Sequence, residues 1–237
     1  MTSSGPSNWR PVLRPRLATY DGSFCWSGSG TPVPSQMDAA YSRPGFYWGR
    51  QPNWLCDQVC EFVPTIEAHG KRAIDLGCGE GRDAVRFARH GFQVTALDVS
   101  RPGLDKAVRW ATEEGLHIDS EQGSILDWRL DGDVYLVYAS GTLHYLPPRL
   151  RAPAFDHYKA QTVPGGVHAF NAFVEKPFIE TPPDYAPDEY FYRSGELLAY
   201  YWDWEVLLLR EDIFPCNSGG IAHRHAMDTL ICRKVLP

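Results

Sequence analysis

The sequence has few cysteines, no excess of positive charge and no long apolar run. Its 237 residues include six cysteines, 23 lysines and arginines, and 29 aspartates and glutamates, for a net charge of −6. Scattered cysteines in a large chain indicate reduced thiols, which predicts a cytoplasmic protein. An acidic chain without a basic face argues against a nucleic-acid partner. The uncharged stretch 134–148 is too short to cross a bilayer, so no membrane partner is expected.

Aromatic residues and prolines are scarce in the middle of the chain. The sequence has 8 tryptophans, 12 tyrosines, 11 phenylalanines and 19 prolines. Residues 71–137 hold only one of those prolines, Pro102, and five of the aromatics, namely Phe87, Phe92, Trp110, Trp128 and Tyr135. The composition therefore separates a central segment of ordinary α/β character from two aromatic flanks.

The length and the alternation of apolar segments predict one α/β domain. Residues 1–36, rich in Ser, Gly and Pro, are expected to form an N-terminal extension or lid, and residues 37–237 the domain. Strands are predicted at 72–76, 92–97, 117–122, 133–139, 167–174, 204–209 and 227–235, with helices between most of them. This order predicts a doubly wound parallel sheet that carries an antiparallel strand pair at one edge.

A glycine-rich loop follows the first predicted strand. The run from Asp75 to Gly81 reads DLGCGEG, and a second acidic residue, Asp98, ends the next strand 21 positions after Gly77. Glycines let a backbone approach a ligand closely, and a carboxylate at the end of the second strand can bind the hydroxyls of a ribose. The loop and Asp98 together predict a nucleoside-containing cofactor.

The spacing distinguishes two cofactor classes. A dinucleotide fingerprint requires a third glycine at position 82, where this chain has Arg82. Asp75, which precedes the first glycine, would repel a pyrophosphate but would attract the ammonium group of an amino-acid-like cofactor. The residues therefore favour S-adenosylmethionine over a nicotinamide dinucleotide.

The stretch AIDLGCGEGRDAVRFARHGFQVTALDVS, residues 73–100, resembles motif I and the following acidic position of class I S-adenosylmethionine-dependent methyltransferases. It is most similar to the TehB-type (tellurite resistance) and small-molecule thiol methyltransferase branch, and the similarity extends from about Tyr41 to Lys234. The resemblance implies a Rossmann-like seven-stranded sheet in the order 3-2-1-4-5-7-6 with strand 7 antiparallel. It implies that the cofactor lies at the carboxyl ends of the strands.

The resemblance also implies the cofactor contacts. The expected residues are Trp48, Asp75, Gly77, Cys78, Gly79, Arg82, Asp98, Val99, Ser124, Ile125, Tyr138 and Ala139. Among them, Ser124 and Ile125 would lie at the adenine, and Tyr138 and Ala139 at the sulfonium. Family members often have Asp where this chain has Ser124, so the adenine contact is left to Ser124, the backbone or Asp127.

The aromatic flanks are expected to supply the walls around the transferred methyl group. Methyl transfer from a sulfonium is an in-line displacement, so the protein mainly positions the acceptor and excludes water. Candidate catalytic residues are His144, His225 and Tyr47; candidate substrate-binding residues are Phe46, Tyr47, Tyr200, Tyr201, His223 and Arg224.

The remaining ligand-like residues do not predict a metal. Alternation places His223 and His225 on one strand face, and with Cys216 they could bind a metal or remove a proton, but a core or solvated strand face is the favoured interpretation.

A thiol acceptor is already partly ionised at neutral pH, whereas a hydroxyl acceptor needs a base or a metal.

The leading hypothesis is thus methyl transfer from S-adenosylmethionine to a small thiol or a related chalcogen, by a monomer or homodimer. The alternatives are an O- or N-methyltransferase of a natural product and a non-catalytic regulator that binds S-adenosylmethionine. The first alternative would need a histidine as a base.

Overall fold

The computed structural model describes residues 34–183, 185–217 and 220–236. Most of the predicted extension, residues 1–36, lies outside the described residues. The first helix described begins at Pro34, so it crosses the predicted boundary between extension and domain.

Helices and strands alternate through most of the described residues. The helices are α1 (Pro34–Tyr41), α2 (Trp54–Phe62), α3 (Thr65–Ala68), α4 (Arg82–His90), α5 (Arg101–Glu113), α6 (Pro148–Gln161) and α7 (Glu196–Ala199). The strands are β1 (Arg72–Leu76), β2 (Gln93–Asp98), β3 (Ile118–Gln122), β4 (Val134–Ala139), β5 (Thr162–Val174), β6 (Glu205–Cys216) and β7 (His223–Arg233).

The seven strands form one sheet in the order β3-β2-β1-β4-β5-β7-β6. The first five strands of this order pair in parallel, and β7 pairs antiparallel with both β5 and β6. The predicted topology is confirmed. Parallel neighbours place their carboxyl ends at the same edge, which brings the loops after β1, β2 and β4 together.

Local sequence explains where the helices near the site begin and end. The side chain of Ser100 accepts a hydrogen bond from the Gly103 N–H and caps α5, whose first turn contains Pro102. Gly91 adopts a left-handed conformation and ends α4. Strand β4 is buried along its whole length, which is typical of a central parallel strand covered on both faces.

A hydrophobic layer covers each face of the sheet. One layer includes Leu55, Phe87 and Leu104 from helices α2, α4 and α5. The other includes Phe155 of α6 and Leu197 of α7. Within the described residues, no helix is long and apolar enough to span a membrane.

The last two strands are longer than the sequence pattern predicted. Strand β6 continues to Cys216 rather than Leu209, and β7 begins at His223 rather than Met227. The polar ends of these strands carry little hydrophobic signal, but they pair in register from Glu205↔Arg233 to Cys216↔His223. The pairing places both histidines of this segment inside β7.

Candidate cofactor and acceptor site

A cavity of about 470 Å³ opens at the carboxyl ends of the parallel strands. The glycine loop lies along it, and aromatic residues line other parts of it, among them Tyr41, Trp48, Tyr145, Phe173 and Phe191. Of the residues predicted to act in binding or catalysis, those that line the cavity are Trp48, Asp75, Gly77, Cys78, Gly79, Arg82, Asp98, Val99, Ser124, Ile125, His144 and His225.

The glycine loop needs its glycines at Gly77 and Gly79. Both have positive φ, +76° and +54°. A Cβ atom on Gly77 would lie 2.1 Å from Thr142 Oγ1, and one on Gly79 would lie 2.9 Å from Tyr41 Oη. The loop is therefore packed against the residues after β4 and against α1, with no space for a side chain at these two positions.

Asp98 is held at the end of β2 by two backbone groups. Its Oδ2 accepts a hydrogen bond from the Gly79 N–H and its Oδ1 from the Ser100 N–H, both at 2.8 Å. Burial raises the pKa of Asp98, and these N–H groups oppose the shift. Each carboxylate oxygen keeps a further lone pair, so the fixed carboxylate can also accept hydrogen bonds from ribose hydroxyls.

Asp75 lines the cavity but is almost inaccessible to solvent, with 2% of its surface exposed. Its Oδ2 accepts no hydrogen bond from any residue that the structure describes. Burial raises the pKa of Asp75, and the nearby carboxylates of Asp83 and Asp98 raise it further. An unpartnered buried carboxylate oxygen is costly unless a cation fills the site, so these residues fit the ammonium group of S-adenosylmethionine.

Tyr138 and Ala139 do not line the cavity, contrary to the assignment that the resemblance implied. Tyr138 is fully buried, and its hydroxyl donates to Asp83 Oδ2 at 2.9 Å. Strand β4 is covered on both faces, so its side chains pack under the site. The residues that follow it, Ser140–Thr142, line the cavity instead.

Residues 43–48 are fastened to the domain by an ion pair between Glu80 and Lys106. Lys106 Nζ lies 2.6 Å from Glu80 Oε1 and donates to the backbone carbonyl of Gly45 at 2.6 Å. Glu80 Oε2 accepts the backbone N–H of Tyr47. Because both charged side chains are largely buried, this pair anchors the segment that precedes α2 next to the glycine loop.

The anchoring assigns a different role to two predicted substrate-binding residues. Phe46 packs edge-on against Trp110, with 5.2 Å between ring centroids. Tyr47, which was also predicted to be catalytic, donates its backbone N–H to Glu80, and its ring packs edge-on against Trp48. Neither lines the cavity. Trp48 does, and its indole N–H donates to Tyr41 Oη at 2.9 Å.

We expect Lys106→Met to loosen this segment. The change leaves the Glu80 carboxylate buried without its cation, which costs about 3–5 kcal/mol for a buried pair. Hydrogen–deuterium exchange should accelerate in residues 43–48, and S-adenosylmethionine should bind at least tenfold more weakly in calorimetry.

The matched control is Arg101→Met, on the same helix. Arg101 forms an exposed pair with Asp105, and such pairs contribute about 0.3–0.5 kcal/mol. Equal exchange in residues 43–48 for both variants would contradict the anchoring role of Lys106.

The part of the cavity around Phe173 is aromatic and contains two histidines, and we call it the acceptor end because we expect the acceptor there. The ring of Phe173 lies between them, 5.2 Å from the His144 ring and 5.0 Å from the His225 ring. Burial lowers the pKa of His144 to about 3, and His225 contributes to the shift. His144 is therefore neutral at pH 7 and is a weak base.

The other predicted substrate-binding residues lie away from the cavity. Tyr200 stacks on Phe155 at 4.7 Å, and Tyr201 Oη lies 2.7 Å from His168 Nδ1. Both tyrosines pack in the core layer under α6, because α7 covers that face of the sheet.

Arg224 is exposed, since alternation in β7 turns it away from the face of His225. His223 does not line the cavity but contacts His225.

Several cavity residues had no motif to mark them. They are Tyr41, Thr142, Tyr145, Phe173 and Phe191. Thr142 was detectable in principle, because it follows the fourth strand at the edge where a parallel sheet binds ligands. The others depend on how distant segments pack.

Comparison with known proteins agrees with this geometry. Residues 73–166 match the model of a methyltransferase domain family. Relatives include hemagglutinin 1 of Eikenella corrodens, 27% identical over 60% of this chain and 46% of that protein. Another is the probable S-adenosyl-L-methionine-dependent methyltransferase TehB of Haemophilus influenzae, 24% identical over 69% of this chain and 57% of that protein. The chain thus spans about half the length of these relatives.

Solved structures share the fold. The crystal structure of TehB from Haemophilus influenzae superposes with a TM-score of 0.67 at 20% identity, over 76% of this chain and 61% of that one. The structure of the N-methyltransferase NodS from Bradyrhizobium japonicum, in complex with S-adenosyl-L-homocysteine, superposes with a TM-score of 0.60 at 15% identity. The superposition covers 84% of this chain and 97% of that one.

The fold is that of class I S-adenosylmethionine-dependent methyltransferases, and residues 73–166 match a methyltransferase domain family. Its cofactor is S-adenosylmethionine. Among the proteins with this fold, TehB of Haemophilus influenzae is similar to the chain in both sequence and structure.

Proposed function

We propose that this protein transfers the methyl group of S-adenosylmethionine to a small-molecule acceptor, and that the acceptor is a thiol or a related chalcogen. The single observation that carries the choice is the state of His144. It is buried at the acceptor end, and its pKa of about 3 makes it a poor base at neutral pH. A hydroxyl acceptor would require a stronger base, whereas a thiol needs little help to ionise.

In this proposal the chain's residues bind, orient and exclude water. Asp75 binds the ammonium group, Asp98 binds the ribose, and the glycine loop fits closely around the cofactor. Bound S-adenosylmethionine supplies an electrophilic methyl group. The aromatic rings at the acceptor end stabilise a neighbouring cation and keep water away from the nucleophile.

An amine acceptor is the second candidate, because Asp188 and Glu189 also line the cavity. Glu189 is buried, and its Oε1 lies 3.5 Å from His144 Nε2. Carboxylates attract an ammonium group but also keep it protonated, and a protonated amine has no free electron pair. The thiol therefore ranks first.

The test is a set of acceptors of matched size. Purified protein with S-adenosylmethionine should release S-adenosylhomocysteine with a small aliphatic thiol at least tenfold faster than with the alcohol or amine of the same carbon skeleton. The background is measured with Asp98→Ala, which should lose cofactor binding and all product.

Faster turnover of the amine would replace the thiol with the second candidate. No product from any acceptor, with cofactor binding intact, would support a non-catalytic regulator. Loss of nearly all thiol activity in His144→Gln would contradict the argument that the acceptor needs no base.

A further inference from the structure

Three side chains with metal-binding atoms converge where β6 and β7 begin to pair. Cys216 ends β6 opposite His223, and His225 follows two residues later on the same face of β7. Opposite and i+2 positions are neighbours on one face of an antiparallel pair. One ligand atom from each residue lies within 4.8 Å of the other two, and the two histidine Nε2 atoms are 2.9 Å apart.

The position of one proton in this cluster follows from geometry. His223 Nδ1 lies 2.7 Å from the backbone carbonyl of Ile221, which can only accept, so Nδ1 carries the hydrogen. His223 Nε2 then presents its lone pair toward His225. A backbone carbonyl that fixes the tautomer through the distal nitrogen is the usual outer-shell partner of a metal-binding histidine.

The surroundings hold His225 in place at the cavity wall. Its ring lies 5.0 Å from the ring of Phe173 and 5.7 Å from that of Phe214. His225 and Cys216 are 8% and 5% exposed, and both line the cavity that contains Asp98 and the glycine loop. The three donor groups thus converge at the acceptor end of the site, within a largely apolar wall.

We propose that Cys216, His223 and His225 bind one zinc ion, whose open coordination position receives the sulfur of the acceptor. The part of this proposal that concerns the acceptor rests on the proposed function. One sulfur and two nitrogen donors suit zinc, which is borderline in softness and accepts both. Three protein ligands with a fourth position left for water or substrate are characteristic of catalytic zinc sites.

The ion would make the acceptor thiol a nucleophile. A thiol that coordinates zinc is deprotonated, and its proton leaves to solvent. The sulfur electron pair then forms the bond to the methyl carbon while the bond from that carbon to the sulfonium sulfur breaks. The breaking pair stays on the sulfonium sulfur, which becomes a neutral thioether, and the methylated product leaves.

The first experiment measures metal binding by the full chain without cofactor. Protein stripped with a chelator should bind one Zn²⁺ per chain in calorimetry. Cys216→Ser, His223→Gln and His225→Gln should each weaken binding by about 100-fold or more, because changes to outer-shell partners alone cost 10–100-fold. Matched controls outside the cluster are Cys60→Ser and His117→Gln.

Cobalt makes the sulfur ligand visible. The Co²⁺ form should show a thiolate-to-metal charge-transfer band that disappears in Cys216→Ser. An unchanged far-UV circular dichroism spectrum in each variant shows that the variant is folded. Zinc binding that is absent, or equal in cluster and control variants, would overturn the site.

The second experiment tests the acceptor. Adding 2-mercaptoethanol to the Co²⁺ protein should change its spectrum in the absence of cofactor, whereas ethylene glycol should not. A spectrum unaffected by the thiol would overturn acceptor binding by the metal. Zinc binding without product from any acceptor would refute the proposed function but not the zinc site. Thiol methylation at full rate by metal-free protein would refute the role of zinc but not the proposed function.

Discussion

Replacing Asp75 with asparagine will raise the unfolding temperature of the ligand-free protein and will weaken its binding of S-adenosylmethionine by about 100-fold. Burial and the carboxylates of Asp83 and Asp98 raise the pKa of Asp75, so its ionised form destabilises the folded state at neutral pH. We expect a rise of about 2–4 °C, which corresponds to about 1 kcal/mol in a domain of this size. The lost affinity reflects one hydrogen bond between charged groups, about 1.5–3 kcal/mol.

The sign of the pH dependence follows from the raised pKa. The folded state takes up a proton on Asp75 more readily than the unfolded state, whose pKa is about 3.9. Protonation of Asp75 stabilises the folded protein at low pH. This stabilisation is lost as the pH rises through the pKa that Asp75 has in the folded state. The advantage of Asp75→Asn in unfolding temperature should therefore shrink as the pH falls from 7 toward 4, as measured by calorimetry at each pH.

Asp83→Asn is the matched control, because Asp83 is equally buried but has partners on both oxygens. Oδ1 accepts the Asn53 N–H at 2.6 Å and Oδ2 accepts the Tyr138 hydroxyl at 2.9 Å. The carboxamide of asparagine has one oxygen and can accept a hydrogen bond from only one of these two donors. This variant should therefore lower the unfolding temperature. If both variants raise it equally, the unpartnered oxygen of Asp75 is not the cause. Unchanged cofactor affinity in Asp75→Asn would contradict its contact with the ammonium group.

Gly77→Ala should abolish measurable cofactor binding and destabilise the protein by about 2–5 kcal/mol. The φ of +76° costs a side-chain-bearing residue about 1–2 kcal/mol, and the new Cβ would lie 2.1 Å from Thr142 Oγ1, an overlap that costs about 1–3 kcal/mol more. The loop must move to relieve the overlap. Movement would break the hydrogen bonds from the Gly77 and Cys78 N–H groups to the Leu97 carbonyl.

Gly115→Ala separates the two contributions. Gly115 has a similar φ of +70°, but nothing lies within 4 Å of a Cβ placed there. It should lose only about 1–2 kcal/mol in denaturant unfolding and bind the cofactor normally. Adding Thr142→Gly to Gly77→Ala should recover part of the stability, because all three overlapping atoms belong to that threonine. Equal losses for Gly77→Ala and Gly115→Ala would rule out the overlap.

The cofactor half of the site could be predicted because its signals are local. Gly77, Gly79, Asp75 and Asp98 lie within a short segment, and each has a chemical reason for its position. The residues alone predicted the alternating strands and helices, and the resemblance supplied the strand order that the structure confirms.

The acceptor half could not be predicted in the same way. Tyr200 and Tyr201 belong to the aromatic flank, but they directly follow α7 and pack against Phe155 and His168 in the core layer rather than in the cavity. Phe173 and Phe191 carry no motif, and they reach the cavity only because their segments pack beside His144.

The sequence by itself determined the cofactor, since close backbone approach and a carboxylate at the end of a strand are set by residue type and short spacing. Only the tertiary structure decided which flanking residues lie together at and beside the cavity. Cys216, His223 and His225 show why: they come together through the register of β6 on β7, and a shift of one residue would turn their side chains to opposite faces. Strand register depends on pairing along the whole hairpin, which no short motif records.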